Sequence, residues 1–224
     1  MSKKNEKKRI VQDYQYLNSW TIKKNYILPL ISDLIDNIEK KKVFIKMNLR
    51  WGYNNVRIKE GDEWKIVFIF STPESVYELT VIFFRLTNSP ATFQTIINDL
   101  LKNLIEIGDV AAFIDDVIVG MEIKEEHNDI VEEVLRRIAE NDLFVKSEKY
   151  VLKIRDIGFL GVVIGLDGVK MEKKKFQEVV DWLVLRKVKN MQKFLGLANY
   201  YKQFVKDFTR IAEHLHEIMR KDEK

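Results

Sequence analysis

Residues 111 to 120 read AAFIDDVIVG, an apolar, strand-forming run broken by two adjacent acids, Asp115 and Asp116. A segment this apolar belongs inside a sheet, yet neighbouring carboxylates repel one another and lose solvation there. The conflict eases if Val110 to Ile114 and Val117 to Met121 are the arms of a tight hairpin, with both acids exposed at its tip on a sheet edge. Even there the pair calls for a cation. Mg²⁺ suits it, because that ion takes hard oxygen ligands and is held by one or two carboxylates together with substrate phosphates. A solvated Asp-Asp turn satisfies the same two residues, so the pair alone does not decide the matter.

The flanking sequence alternates helices and strands. Pro29 opens a helix in which Leu30, Ile31, Leu34, Ile35 and Ile38 recur at helical spacing. KVFIKMNL, residues 42 to 49, has period two: Val43, Ile45, Met47 and Leu49 point one way, Phe44, Lys46 and Asn48 the other. Residues 56 to 70 predict a hairpin turning at Glu60-Gly61-Asp62. Ser89 and Pro90 start a helix bearing Phe93, Ile96, Ile97, Leu100, Leu101 and Leu104 on one face as far as Gly108. Ile130, Val131, Val134, Leu135 and Ile138 mark another. Beyond residue 172 strand signals stop and apolar-striped helices follow, with a boundary expected near Gly168. The pattern is that of an α+β domain, helices covering one sheet face, followed by a helical bundle.

Charge distribution adds a partner. The net charge is only +4, but residues 3 to 9 hold five bases to one acid and residues 169 to 193 eight to three, whereas Asp115 to Asp142 holds ten acids to three bases. Basic ends around an acidic middle suit a polyanion, although each run is also an ordinary solvated face. The absence of cysteine excludes disulfides and thiolate metal sites. No apolar stretch approaches the ~20 residues of a membrane span.

FFRLTNSPATFQTIINDLL, FIDDV and FLGLANYYKQFVKDF, in that order and with KKVFIKMNLRWGYNNVRIKEGDEWK upstream, resemble the reverse transcriptases of gypsy-type long-terminal-repeat retrotransposons and, more distantly, of retroviruses. The resemblance implies a polymerase palm, an antiparallel sheet backed by helices, with partial fingers and a C-terminal helical thumb. Partial fingers are expected over 1–25, palm over 26–55, a fingers hairpin over 56–88, palm with the Asp-Asp hairpin and primer grip over 89–168, and thumb over 169–224. The implied activity is DNA synthesis on RNA or DNA templates. It would use deoxynucleoside triphosphates, two Mg²⁺ ions with Mn²⁺ as a substitute, and a primer–template duplex. The expected setting is intracellular, cytoplasmic or nuclear, without a membrane, in a fragment of a longer polyprotein.

The same resemblance assigns residues. Asp115 and Asp116 match the paired metal-binding aspartates, and Asn48 stands where the family has its third catalytic Asp. Tyr53 matches the aromatic gate beneath the incoming sugar. Phe84 matches the nucleotide pocket, where Phe83 and Arg85 replace the family's Pro and Gly. Lys3 and Arg9 match the fingers residues that grip triphosphate, and Lys146, with Lys149 as a rival, the late palm lysine. Phe159, Leu160, Gly161 and Val162 match the primer grip. Lys173, Lys174, Lys175, Lys187, Lys189 and Lys193 give the thumb a basic surface able to follow a duplex backbone. An amide ligates metal weakly through its oxygen. Asn48 therefore supports a second reading, an inactive reverse-transcriptase remnant that binds nucleic acid or serves in assembly.

Overall fold

The computed structural model describes residues 13–69, 76–122, 124–146, 151–153, 156–182 and 188–222. Its contacts separate Met1–Arg155 from Asp156–Lys224. In the first unit the elements run α1 (Gln15–Trp20), α2 (Ile31–Ile38), β1 (Val43–Asn48), β2 (Val67–Ile69), β3 (Val76–Glu78), α3 (Ser89–Leu100), α4 (Lys102–Ile107), β4 (Val110–Phe113), β5 (Asp116–Met121), α5 (Lys124–Glu140) and β6 (Val151–Lys153). The second holds β7 (Asp156–Phe159), β8 (Val162–Gly165), β9 (Gly168–Met171), α6 (Lys173–Val180), α7 (Val188–Tyr200) and α8 (Phe208–Asp222).

An antiparallel sheet in the order β4-β5-β1-β6 forms the heart of the first unit. Ile45, Met47 and Leu49 of the β1 segment meet Phe93, Ile97 and Leu101 near α3 and Val131, Val134 and Ile138 of α5 in one buried cluster. Each such side chain contributes about 1.5–3 kcal/mol when fully buried. Phe44, expected on the polar face of β1, is fully buried. Helix α2 accounts for it: Ile38 lies over Gly120, the β5 partner of Phe44, so apolar surface covers this face too.

Three expectations need correction. The turn at Glu60 to Asp62 forms, but residues 56–58 pair with 80–82 rather than with the chain just beyond the turn. Glu63–Ile66 winds into a 3-10 turn supported by the Lys65–Asp62 ion pair, and β2 pairs with β3 instead. The helix from Ser89 breaks at Leu101, where ψ is 13°, and restarts as α4 before Gly108 closes it at φ +86°. Asp116 is the first residue of β5, not part of the hairpin tip. No helix among the described residues is long and apolar enough to cross a membrane.

Candidate active site

β1 ends at Asn48 and β5 begins at Asp116, and the register sets these residues opposite one another. Asn48 Nδ2 donates to Asp116 Oδ1. Lys46, two residues earlier on β1, brings its ammonium to 3.6 Å from the other carboxylate oxygen. The acid expected to stand free in solvent is thus partly buried, with an amide donor and a cation on it. Asp115 occupies the turn, and its carbonyl accepts from Leu49 N at 2.8 Å. Its carboxylate rests on Gly52, where a Cβ would stand 2.7 Å from Oδ1 and 2.5 Å from Phe93 Cζ. Only a residue without a side chain permits that approach.

Ile114, just before the acids, has φ +53°, a left-handed conformation unfavourable for a β-branched residue. Gln94 holds it there. This fully buried side chain accepts from Ile114 N at 2.7 Å through Oε1 and donates to Ala112 O at 3.0 Å through Nε2. One amide therefore clasps the backbone on either side of Phe113, where β4 enters the turn, and buried amides are as a rule satisfied in this way. The resemblance covers Gln94 only as part of LTNSPATFQ, the stretch matched to the nucleotide pocket and the start of the palm helix, and gives it no role of its own. The available signal was a polar residue in line with Ile97 and Leu101 on an otherwise apolar helix face.

Tyr53 lies in the 3-10 turn Gly52–Asn55 and is 7% exposed. Its ring meets Phe84 edge-on at 5.1 Å and Phe93 at 5.5 Å. Burial pushes its hydroxyl up to about 12, with the Asp115 charge adding to the shift. Phe84 keeps nearly half its surface exposed. Arg85 nevertheless adopts φ +75°, the left-handed region natural to the Gly it replaces, and Asn18 of α1 secures the strained loop: Nδ2 donates to Arg85 O at 2.7 Å, and Oδ1 accepts from Thr87 N at 2.9 Å. Lys146 adjoins the site through its backbone, which donates to Asn48 O at 2.8 Å.

In the second unit Phe159 ends β7, Val162 begins β8, and both are buried. Between them Leu160 and Gly161 turn at φ +49° and +87°. Two α7-end tyrosines hold this turn: Tyr200 Oη donates to Leu160 O at 2.6 Å, and Tyr201 Oη to Gly161 O at 3.3 Å. A Cβ on Gly161 would stand 2.6 Å from the Tyr201 hydroxyl, so glycine is required by space as well as by φ. Lys173, Lys174, Lys189 and Lys193 are exposed, and Lys175 pairs with Glu178 at 2.7 Å. Lys3, Arg9, Lys149 and Lys187 lie outside the described residues. Among the described residues no group of three or more Asp, Glu, His or Cys side chains is arranged to hold a metal ion.

A mixed helical and antiparallel fold with paired acids at a central hairpin is the architecture of a template-directed polymerase palm, and residues 1–164 match the family model described as reverse transcriptase (RNA-dependent DNA polymerase). The chain belongs to the reverse transcriptase family. It is 33% identical over 213 residues to the retrovirus-related Pol polyprotein from transposon opus of Drosophila melanogaster, covering 95% of this chain and 21% of that protein. The gypsy Pol polyprotein of the same organism is 31% identical over 96% of this chain and 21% of its own length. The Tf2-3 polyprotein of Schizosaccharomyces pombe is 29% identical over 96% of this chain, again only 16% of the relative. The chain therefore spans about a fifth or less of these polyproteins. The foamy viral protease–reverse transcriptase solved with an RNA/DNA hybrid superposes with a TM-score of 0.82 at 25% identity, over 95% of this chain and 28% of that one. A form with double-stranded DNA gives 0.86 at 24% identity, over 95% and 37%.

Proposed function

We propose that this chain is the polymerase module of a transposon-type polyprotein, binding a primer–template duplex and joining deoxynucleotides to the primer at Asp115 and Asp116. The observation that carries the reading is the meeting of the Asp115–Asp116 hairpin with Asn48, Gly52 and Tyr53 at one end of the sheet. Asp115 and Asp116 offer hard oxygen donors that fit one divalent ion. The set fits two ions poorly, because the third wall is an amide that points N–H at Asp116. Bound there, Mg²⁺ would act as a Lewis acid on the primer hydroxyl and the triphosphate. The chain's own groups do the positioning. Gly52, having no side chain, leaves the room in which the Asp115 carboxylate packs, and Lys46 moderates the charge of Asp116. The Tyr53 ring, braced by Phe84 and Phe93, forms a wall against which a 2′-hydroxyl would collide. Lys146 and, from the fingers, Lys3 and Arg9 would hold triphosphate. Phe159 to Val162 would hold the primer end, and Lys173, Lys174, Lys175, Lys187, Lys189 and Lys193 the duplex backbone.

The hydrogen bond from Asn48 to Asp116 favours a second reading, a duplex-binding module that no longer synthesises DNA. Primer extension separates them, and duplex affinity checks the binding that both share. Duplex affinity should fall steeply with salt and weaken on charge reversal at Lys173 to Lys175 in either case. Primer extension with Mg²⁺ or Mn²⁺ should be weak in the parent and rise by orders of magnitude in Asn48→Asp. Extension absent from both proteins, with duplex binding intact, would establish the second reading and end the first.

A further inference from the structure

The grip of Gln94 on the turn before Asp115 is itself held from outside. Gln94 Oε1 faces a backbone donor and Nε2 a backbone acceptor, so the orientation of this buried amide is dictated by the turn. Its second N–H points to Asn98 Oδ1 at 2.8 Å, one helical turn along α3. Asn98 thereby has its amide oriented too, and its Nδ2 donates to the Tyr26 hydroxyl at 2.6 Å. Tyr26 belongs to the segment between α1 and α2, which is fastened to α3 at two further points: Lys24 Nζ donates to Thr95 Oγ1 at 3.2 Å, and Lys24 N to Asn88 Oδ1 at 2.9 Å. A continuous line of hydrogen bonds thus runs from this outer segment to the backbone of Ile114.

We infer that Asn98 is a positioning residue for the Asp115–Asp116 turn, acting through Gln94, with the Tyr26 hydroxyl as its outer anchor. Asn98 supplies the acceptor that keeps the second N–H of the fully buried Gln94 side chain satisfied. Remove that acceptor and Gln94 gains by rotating toward another partner, which takes Oε1 away from Ile114 N. Ile114 sits at φ +53°, a conformation unfavourable for a β-branched residue, so loss of the Gln94 hydrogen bond favours its relaxation.

The inference rests on the polymerase reading for its consequence but not for its test. Hydrogen exchange of the Ile114 amide is measured by NMR in the full chain and in Asn98→Leu, Asn98→Asp and Tyr26→Phe. Asn98→Leu should speed exchange at Ile114 about tenfold, the scale of one lost buried hydrogen bond, with much smaller changes in α5 amides such as Val134 and Ile138. Asn98→Asp, which still accepts from Gln94, should exchange as the parent does. Tyr26→Phe should give a smaller acceleration at Ile114. Unchanged exchange in Asn98→Leu, an equal loss in Asn98→Asp, or equal acceleration throughout α5 would overturn the inference. Should Asn98→Leu fail to fold, Asn98→Ala makes the same comparison. Primer extension in an Asn48→Asp background distinguishes the two readings. A lower kcat at unchanged nucleotide KM in Asn98→Leu supports positioning, whereas no extension even in Asn48→Asp counts against polymerase function and leaves the exchange result to decide this inference.

Discussion

Asn48 and Asp116 face each other across the β1–β5 pair, and the Asn48 amide donates to the Asp116 carboxylate. Asn48→Asp keeps the shape but removes that donor and sets carboxylate against carboxylate. In EDTA the variant should lose about 1–3 kcal/mol of stability. Added Mg²⁺ should restore it by binding only the folded state. Thermal melting with and without the ion tests this, and a variant indifferent to Mg²⁺ would place the metal elsewhere or nowhere.

Gln94→Leu should destabilise the first unit by about 1–3 kcal/mol, because Ile114 N and Ala112 O lose a partner in a buried setting. Urea titration measures it. A loss below half of the lower figure would mean that the turn holds its shape unaided.

Arg85 occupies glycine's conformation at φ +75°. Arg85→Gly should therefore raise stability by about 0.5–1 kcal/mol, the relief of left-handed strain less the added freedom of the unfolded chain. Asn18→Ala should do the reverse, freeing Arg85 O and Thr87 N. Melting temperatures moving together in the two variants would contradict this account.

Burial raises the pKa of both Tyr200 and Tyr201, with the neighbouring tyrosine adding at Tyr200; at Tyr201 Glu172 and Glu178 add while Lys175 opposes. Only the protonated hydroxyls can donate to Leu160 O and Gly161 O. Their contribution is complete below the usual tyrosine value of 10.0 and is lost as pH rises through the higher folded values. The Tyr200→Phe, Tyr201→Phe double variant should be less stable than the parent at neutral pH, and the gap should close in alkali. A gap that persists undiminished in strong alkali would show that packing, not hydroxyl donation, ties α7 to this turn.

Elements with a one-sided apolar stripe were legible in the sequence: α2, α3, α5 and the alternating strand β1 stand where their periodicity puts them, because packing against a sheet imposes that period. Pairings over distance were not. Residues 56–58 have two apolar partners within reach, and only the closed structure selects 80–82 over the nearer segment. Among site residues, Asp115, Asp116, Asn48 and Tyr53 were nameable from chemistry and resemblance together, and Arg85 as a bulky residue standing where the family has Gly. Gln94 and Asn98 were not, since an amide looks alike in sequence whether it meets water or two backbone groups. The Lys46 contact was hidden for a related reason: a lysine on the polar face of a strand reads as solvated until the register brings a carboxylate diagonally across from it.

After Asp116, every residue of β5 is buried. A strand with one wet face resists slippage, because a shift of one residue turns its core outward. β5 lacks that protection, since beyond Asp116 neither of its faces is wet. Its ends supply the discrimination. At one end Asp116 must meet Asn48 and Lys46, and at the other Gly120 must lie under the Lys41 stem, where a side chain would come within 3.0 Å. The acid read as chemistry therefore also acts as an address during folding, selecting a partner far away in the chain. Asp116→Leu should give a poorly soluble, misassembled product rather than a well-folded protein lacking one charge, whereas Asp116→Asn should keep the pairing.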